Sequence, residues 1–235
     1  MNHHEKAVIS FSGCGTANYY QAGVLYGLQQ SGMQFKKALG ASAGAFIALG
    51  ALLDIDGREL ADNQIQLSKT LREKHRVLRP HLIDDAFQSF ASQFIAPESY
   101  KQLSGKLVIS ITQLFPFCNK RVSIFESNAA LKEALRSSCF IPSPRKAAMR
   151  FRGKSCIDGG VTSNLLFYNS ASIYVSPFPL MIRDLHESHI CPKRRFPIIN
   201  PTRLYSERAA WKLFDQGKED ALQFVETNHF EKLVS

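Results

Sequence analysis

The chain opens on a short β-type run, Ala7-Val8-Ile9-Ser10-Phe11-Ser12, closed by the glycine pair Gly13 and Gly15. Apolar residues then recur at helical spacing between about Asn18 and Gln30, at Tyr20, Val24, Leu25 and Leu28. A second strand is predicted over Met33 to Leu39, leading into Gly40-Ala41-Ser42-Ala43-Gly44, and a small-residue apolar helix continues as far as Leu53. Strand, turn and helix, twice over, is the opening of a parallel α/β sheet. Gly57 to Arg76 reads as a polar helix before Pro80, and about His81 to Ile95 as another that stops before Pro97. Lys106 to Thr112 alternates as a strand, Phe115 to Asn119 turns, and Arg121 to Phe125 returns. Glu126 to Arg136 is predicted helical until Ile141-Pro142-Ser143-Pro144 breaks it. One strand then climbs through Phe151 and Cys156 to Asp158-Gly159-Gly160. Ser172 to Val175 is a last strand, and the tail from Glu207 to Phe230 is helical with mixed charge.

No Pro-, Gly- or Ser-rich linker, repeat or low-complexity stretch divides the 235 residues, so one α/β domain over residues 1–235 is expected. The 45% hydrophobic and 21% charged content separates it from disordered and fibrous chains. The N-terminal residues lack the apolar region and cleavage site of a signal peptide. Leu39 to Leu53, the longest uncharged stretch near the start, falls short of the roughly 20 residues a spanning helix needs. A soluble chain without a spanning anchor is therefore expected. Five scattered cysteines form no C-x-x-C pair, which argues against a zinc site or disulfide framework and for a reducing compartment. The net charge of +9 favours an anionic partner, a phospholipid leaflet or a nucleic acid, and composition does not choose between them. No DNA- or RNA-binding motif or stacking platform accompanies the charge, so nucleic acid is not the expected partner.

The chemistry gathers at the glycine turns. Gly40 and Gly44 flank Ser42 between a predicted strand and a predicted helix, the placement that pushes a serine hydroxyl out above a sheet as a nucleophile. Ala41, Ala43 and Ala45 keep bulk away from it. The same serine could instead be an N-cap before a small-residue helix. At the first turn, Gly13-Cys14-Gly15-Thr16-Ala17-Asn18 fails as a dinucleotide motif, because the third glycine is Asn18 and no acidic residue stands about 20 positions on. No G-K-[ST] triplet is present, which excludes a P-loop. A glycine turn opening a helix still offers free N–H groups, suited to the oxyanion of an acyl intermediate beside a serine nucleophile. Two arrangements could activate Ser42. One is a triad in which Asp158 is followed by His186, His189 or His229. The other is a dyad in which Asp158, left uncovered by Gly159 and Gly160, takes the proton itself.

Several stretches together resemble the patatin-like phospholipases, in particular the adiponutrin and adipose triglyceride lipase branch. They are Ser10 to Gly15, Gly40 to Ala45, Ser138-Cys139-Phe140-Ile141-Pro142, Phe151-Arg152-Gly153, Asp158-Gly159-Gly160-Val161 with Asn164, Val175 to Phe178, and Ile190-Cys191-Pro192. They run in the family's order over about residues 7–192, with the helical tail at about 207–230 beyond them. The resemblance implies a three-layer α/β/α fold with a mainly parallel central sheet, and a Ser42–Asp158 dyad in place of a triad. It puts Gly13, Cys14 and Gly15 in the oxyanion motif, Gly40 and Gly44 in the nucleophile elbow, and Gly159 and Gly160 in the proton-acceptor motif. It also implies no metal or organic cofactor. Asn18 departs from the usual glycine, and the turn is expected to survive because asparagine tolerates left-handed backbone. No segment matching a relative's membrane-targeting tail is expected.

The expected activity is that of a lipid acyl hydrolase, phospholipase A or triacylglycerol lipase in type, cytoplasmic and peripheral at a membrane or lipid-droplet surface. Transfer of the acyl group to an alcohol or lysolipid shares the acyl-enzyme step, and a catalytically weak lipid-binding homologue is a further alternative. Basic clusters at Lys69 to Arg79, Arg145 to Lys154 and Lys193 to Arg195 could contact anionic lipid, or simply face solvent. Phe87, Phe90, Phe94 and Ile95, at near-helical spacing, fit either a buried helix face or the rim of an acyl-chain entrance.

Overall fold

The computed structural model describes residues 6–75, 77, 79–144, 146–178, 189–192 and 201–227. Its sheet is built around three largely buried strands: β1 (Ala7–Phe11), β2 (Phe35–Ala41), exposed only near Lys36, and β3 (Leu107–Gln113). Strands covered on both sides read as apolar runs, which is why Leu107 to Ile111 interrupts its apolar residues only at Ser110. β1 pairs in parallel with β2 and with β7 (Ile173–Val175), which pairs in parallel with β8 (His189–Ile190). β2 pairs in parallel with β3. Antiparallel pairing begins at β3, which meets β4 (Cys118–Val122) and β6 (Lys154–Asp158), while β5 (Met149–Phe151) closes on β6. The result is an eight-stranded mixed sheet with helices on both sides.

β3 carries an unusual division of its two edges. Ile109 and Ser110 pair with both β2 and β4, and Ile111 to Gln113 with both β4 and β6. A strand has only two edges, so β4 occupies one, and β2 and β6 meet end to end along the other. Ala41 lies opposite Ser110, and Asp158 lies opposite the next residue, Ile111.

The helices are α1 (Asn18–Gln30), α2 (Ala43–Leu52), α3 (Gly57–Arg72), α4 (Pro80–Phe94), the short α5 (Ser99–Leu103), α6 (Asn128–Ser138) and α7 (Glu207–Thr227). None of the described helices is long and apolar enough to cross a membrane. α7 is no appendage. Phe214, Ala221 and Phe224 join the main core, and Tyr20 donates to Asp220 Oδ2 at 2.8 Å.

Several predicted boundaries need correcting. The return strand expected over Arg121 to Phe125 starts three residues earlier, at Cys118 opposite Gln113. The Gln113 side-chain amide donates to the carbonyls of Phe115 and Pro116 and tightens the turn, so pairing resumes sooner. The single strand expected up to Asp158 is a hairpin, β5 and β6. Arg152 (φ 47) and Gly153 (φ 76) form a two-residue left-handed turn between them, the backbone that matches the twist of paired strands. The second strand is also shifted: it begins at Phe35 and runs on to Ala41, directly against Ser42. The helix expected to reach Arg76 ends at Arg72.

Candidate active site

Because β1 and β2 run parallel as neighbours, with Phe11 opposite Gly40, the turns after them lie side by side at the carboxyl ends of the strands. The first turn holds Gly13 to Gly15. The second is Ser42, at φ 49 and ψ −130, a left-handed conformation for a residue with a Cβ and a strained one. Its neighbours permit it. A Cβ on Gly40 would stand 2.5 Å from Ala45 Cα, and one on Gly44 would enter the carbonyls of Phe11 and Ser12. The elbow closes only because both positions lack a side chain.

Ser42 Oγ donates directly to Asp158 Oδ2 at 2.6 Å. The other carboxylate oxygen, Oδ1, accepts from the Gly160 N–H at 2.7 Å. Asp158 is pushed up to about 6, chiefly by burial, against the lowering effect of the Ser42 hydroxyl and then the Gly160 N–H. Among the described residues, no histidine stands between Ser42 and Asp158. His189 sits on β8, three strands from β2 in the sheet, and burial holds it down at about 4. His186 and His229 lie outside the described residues.

Sequence reasoning missed a clamp. Ser138 Oγ accepts from the Ser42 N–H at 2.9 Å, and the Phe140 carbonyl accepts from the Asp158 N–H at 2.9 Å. The stretch Ser138 to Pro142 is legible as a family feature without an assigned chemistry; its residues hold the backbone of both Ser42 and Asp158. Asn164 bridges the other two turns. Its carbonyl accepts from the Gly13 N–H at 3.0 Å, and its Oδ1 lies where a Cβ on Gly13 or Gly160 would fall. In the first turn the N–H groups of Gly13, Thr16 and Ala17 are engaged by Asn164, Pro201 and Cys14, and among the described residues those of Cys14 and Gly15 have no acceptor. Burial pushes the Cys14 thiol well up and keeps it protonated. Asn18 does not use left-handed backbone: at φ −65 and ψ −10 it is ordinary right-handed helix, so the turn needs no glycine there.

Ser42 opens into an apolar pocket of about 120 Å³, walled by Ala43, Phe46 and Ile47 of α2, Leu60 and Leu67 of α3, and Ile83, Phe87 and Phe90 of α4. Phe87 and Phe90 fit the expected buried helix face and also line this pocket. They are buried against Phe46, and they face the pocket. Pro201 and Thr202, from the segment before α7, complete its rim.

The family model for patatin-like phospholipase matches residues 9–169, a span that includes Ser42, Asp158 and all three turns. The chain belongs to the patatin-like phospholipase family. Among relatives, 1-acylglycerol-3-phosphate O-acyltransferase PNPLA3 of Homo sapiens is 32% identical over 197 residues, covering 79% of this chain and 39% of the relative. Patatin-like phospholipase domain-containing protein 2 of Homo sapiens is 31% identical over 254 residues, covering 94% of this chain and 48% of the relative. The chain therefore spans less than half of either. Among solved structures, VipD from Legionella pneumophila superposes with a TM-score of 0.55 at 12% identity, over 95% of this chain and 67% of that one, which supports the fold alone. This patatin-like chain keeps the serine elbow, the aspartate and the glycine turn on one ridge of the sheet.

Proposed function

We propose that this chain is a serine-dependent acyl hydrolase that cleaves carboxylic ester bonds of glycerolipids through a Ser42–Asp158 dyad and an acyl-enzyme. The observation that carries this reading is the direct 2.6 Å hydrogen bond from Ser42 Oγ to Asp158 Oδ2 at the mouth of an apolar pocket. Asp158 takes the hydroxyl proton as Oγ attacks the acyl carbonyl. The N–H groups of Cys14 and Gly15 hold the oxyanion, with Gly13 keeping the approach clear. Collapse of the tetrahedral intermediate breaks the ester C–O bond, and Asp158 returns the proton to the leaving alcohol. Asp158 then takes a proton from water as its oxygen attacks the acyl-enzyme, and returns that proton to Ser42 Oγ as the fatty acid leaves. A carboxylate raised to about 6 is a stronger base than an ordinary one and is still ionised at neutral pH.

The names of two relatives, an O-acyltransferase and a transacylase, favour a second reading in which an alcohol replaces water at the last step. Release of fatty acid from phosphatidylcholine and triacylglycerol vesicles tests both. Ser42→Ala and Asp158→Asn are each expected to lose at least about a thousandfold in rate, with His189→Ala close to wild type. Activity surviving in Ser42→Ala would sink the mechanism. Labelled acyl groups appearing on added glycerol instead of as free acid would move the assignment to transfer.

A further inference from the structure

A second cavity shares no lining residue with the pocket at Ser42. Gln113 of β3 lies opposite Cys118 and Cys156, and strand alternation therefore puts Lys120 and Val122 of β4 on the same face as Lys154 and Cys156 of β6. Phe151 of β5, opposite Lys154, joins them. Together they line a groove of about 330 Å³, with Val122, Phe151 and Cys156 buried and Lys120 and Lys154 exposed. Arg152, in the left-handed hairpin turn, lines it too. Its guanidinium lies over the Phe151 ring at 5.3 Å and donates to the Ile124 carbonyl at 2.8 Å, which fixes its place. None of these three cations has a carboxylate partner among the described residues. Arg121 also borders the groove, with its guanidinium donating to the Phe167 carbonyl. Nearby acids do not answer the charge. Asp158 is turned to Ser42. The Cys156 thiol is pushed up first by burial and last by Glu133 of α6, a carboxylate that does not line the groove.

Three unanswered cations around an open groove fit an anion, and lysine and arginine make strong charge-assisted hydrogen bonds to phosphate oxygens. A phosphodiester brings one negative charge and a phosphomonoester close to two at neutral pH, so the monoester matches the groove better. The surroundings choose between a lipid and a soluble phosphate. Ile124, 57% exposed, lines the groove, and Phe115 and Phe117 stand exposed on the turn that follows Gln113. Large apolar side chains held in water beside cations suit the boundary of a lipid leaflet, and a soluble ligand needs none of them. We propose that this groove is a second lipid site, separate from the pocket at Ser42, that takes the phosphomonoester headgroup of an anionic lipid and holds the chain on a membrane. Because β2 and β3 run parallel, the turn after β3 lies at the same end of the sheet as Ser42, so a leaflet gripped there stands at the edge of the candidate active site.

The test is co-sedimentation of the full chain with dioleoylphosphatidylcholine vesicles that carry either dioleoylphosphatidic acid or phosphatidylserine, mixed to the same surface potential. All proteins carry Ser42→Ala, so no lipid is consumed and the result stands whether or not the hydrolase reading holds. Tighter binding to the phosphatidic acid vesicles is expected. Lys120→Gln/Arg152→Asn/Lys154→Gln should weaken it at least about tenfold, since each cation near a leaflet contributes several-fold. Asparagine at position 152 keeps the left-handed turn, which it tolerates better than most residues. Lys36→Gln/Arg208→Gln/Lys212→Gln removes the same charge from exposed residues that do not line the groove, and should cost less than about twofold. Equal losses in the two triple variants, or equal binding to the two kinds of vesicle, overturn the site in favour of diffuse surface charge. Absence of binding to either vesicle overturns it as well. Glycerol 3-phosphate titrated into the chain separates the sources: an affinity matching that for the vesicles makes the ligand a soluble phosphate and overturns the membrane role. Should the groove triple melt lower, Lys120→Gln/Lys154→Gln, at exposed side chains alone, replaces it, with a loss of at least about fivefold expected.

Discussion

Asp158 carries two demands that pull against each other. As the proposed base it must be ionised, yet burial makes ionisation costly and raises it to about 6. Below that pH the carboxyl holds its own proton and cannot take one from Ser42. The kcat/KM profile is therefore expected to fall on the acid side with a midpoint near 6 and to lie flat through neutral pH. Stability has the opposite sign. Between its ordinary value of 3.8 and the folded value of about 6, the unfolded chain releases a proton that the folded chain keeps. The penalty grows across that window and is complete above it. Asp158→Asn should therefore raise stability by up to about 3 kcal/mol at pH 7.5 in urea unfolding, and by about 0.5 kcal/mol at pH 4. Ser42 stores strain of another kind. Comparing Ser42→Gly with Ser42→Ala isolates the backbone, because neither has the hydroxyl, and the glycine variant should be the more stable by about 1 kcal/mol.

At the scale of elements, the end of α6 props the elbow. Ser138→Ala removes the only acceptor that the Ser42 N–H has among the described residues, and leaving a part-buried donor unpaired costs about 1–3 kcal/mol. A lower melting temperature is expected together with a kcat loss that exceeds any change in KM, since the serine is displaced while the pocket stays intact. The α1–α7 crossing is tighter still. A Cβ at Gly217 would enter the Tyr20 carbonyl, so Gly217→Ala should destabilise by about 1–3 kcal/mol, read as a lowered urea midpoint. Much of this level is visible in the sequence. Apolar periodicity places α1 and α2 closely, and the glycines around Ser42 announce the elbow, because local spacing alone determines them. The β5–β6 hairpin is not visible: its turn is Arg152-Gly153, and nothing in an arginine announces left-handed backbone. Nor are Ser138 and Phe140 legible as a clamp, since their partners lie across the fold.

Over the whole molecule, the charge of +9 is unevenly answered. Lys69 pairs with Glu207 at 2.8 Å, Arg152 donates to the Ile124 carbonyl, and the cluster Lys193 to Arg195 lies outside the described residues. Large apolar side chains are exposed as well: Phe115 is 77% and Phe117 64% accessible on the β3–β4 turn, just before a strand that contains Lys120 and Arg121. Aromatics beside cations suit a lipid interface. Co-sedimentation with phosphatidylserine-containing vesicles should fall steeply as salt is raised, and Phe115→Ser/Phe117→Ser should weaken it at every salt concentration. Binding that ignores both salt and the double substitution would leave these surfaces without that role.

The end-to-end meeting of β2 and β6 on one edge of β3 makes the distance from the proposed nucleophile to its proposed base a property of one strand. Ser42 and Asp158 are 116 positions apart, yet their separation is fixed by neighbouring rungs, Ser110 and Ile111. The loops between can lengthen or shorten without moving either group. By the same token the pair exists only once both strands have docked, so a chain still emerging from the ribosome holds Ser42 without Asp158 beside it. On the proposed mechanism the chain stays silent until it is folded.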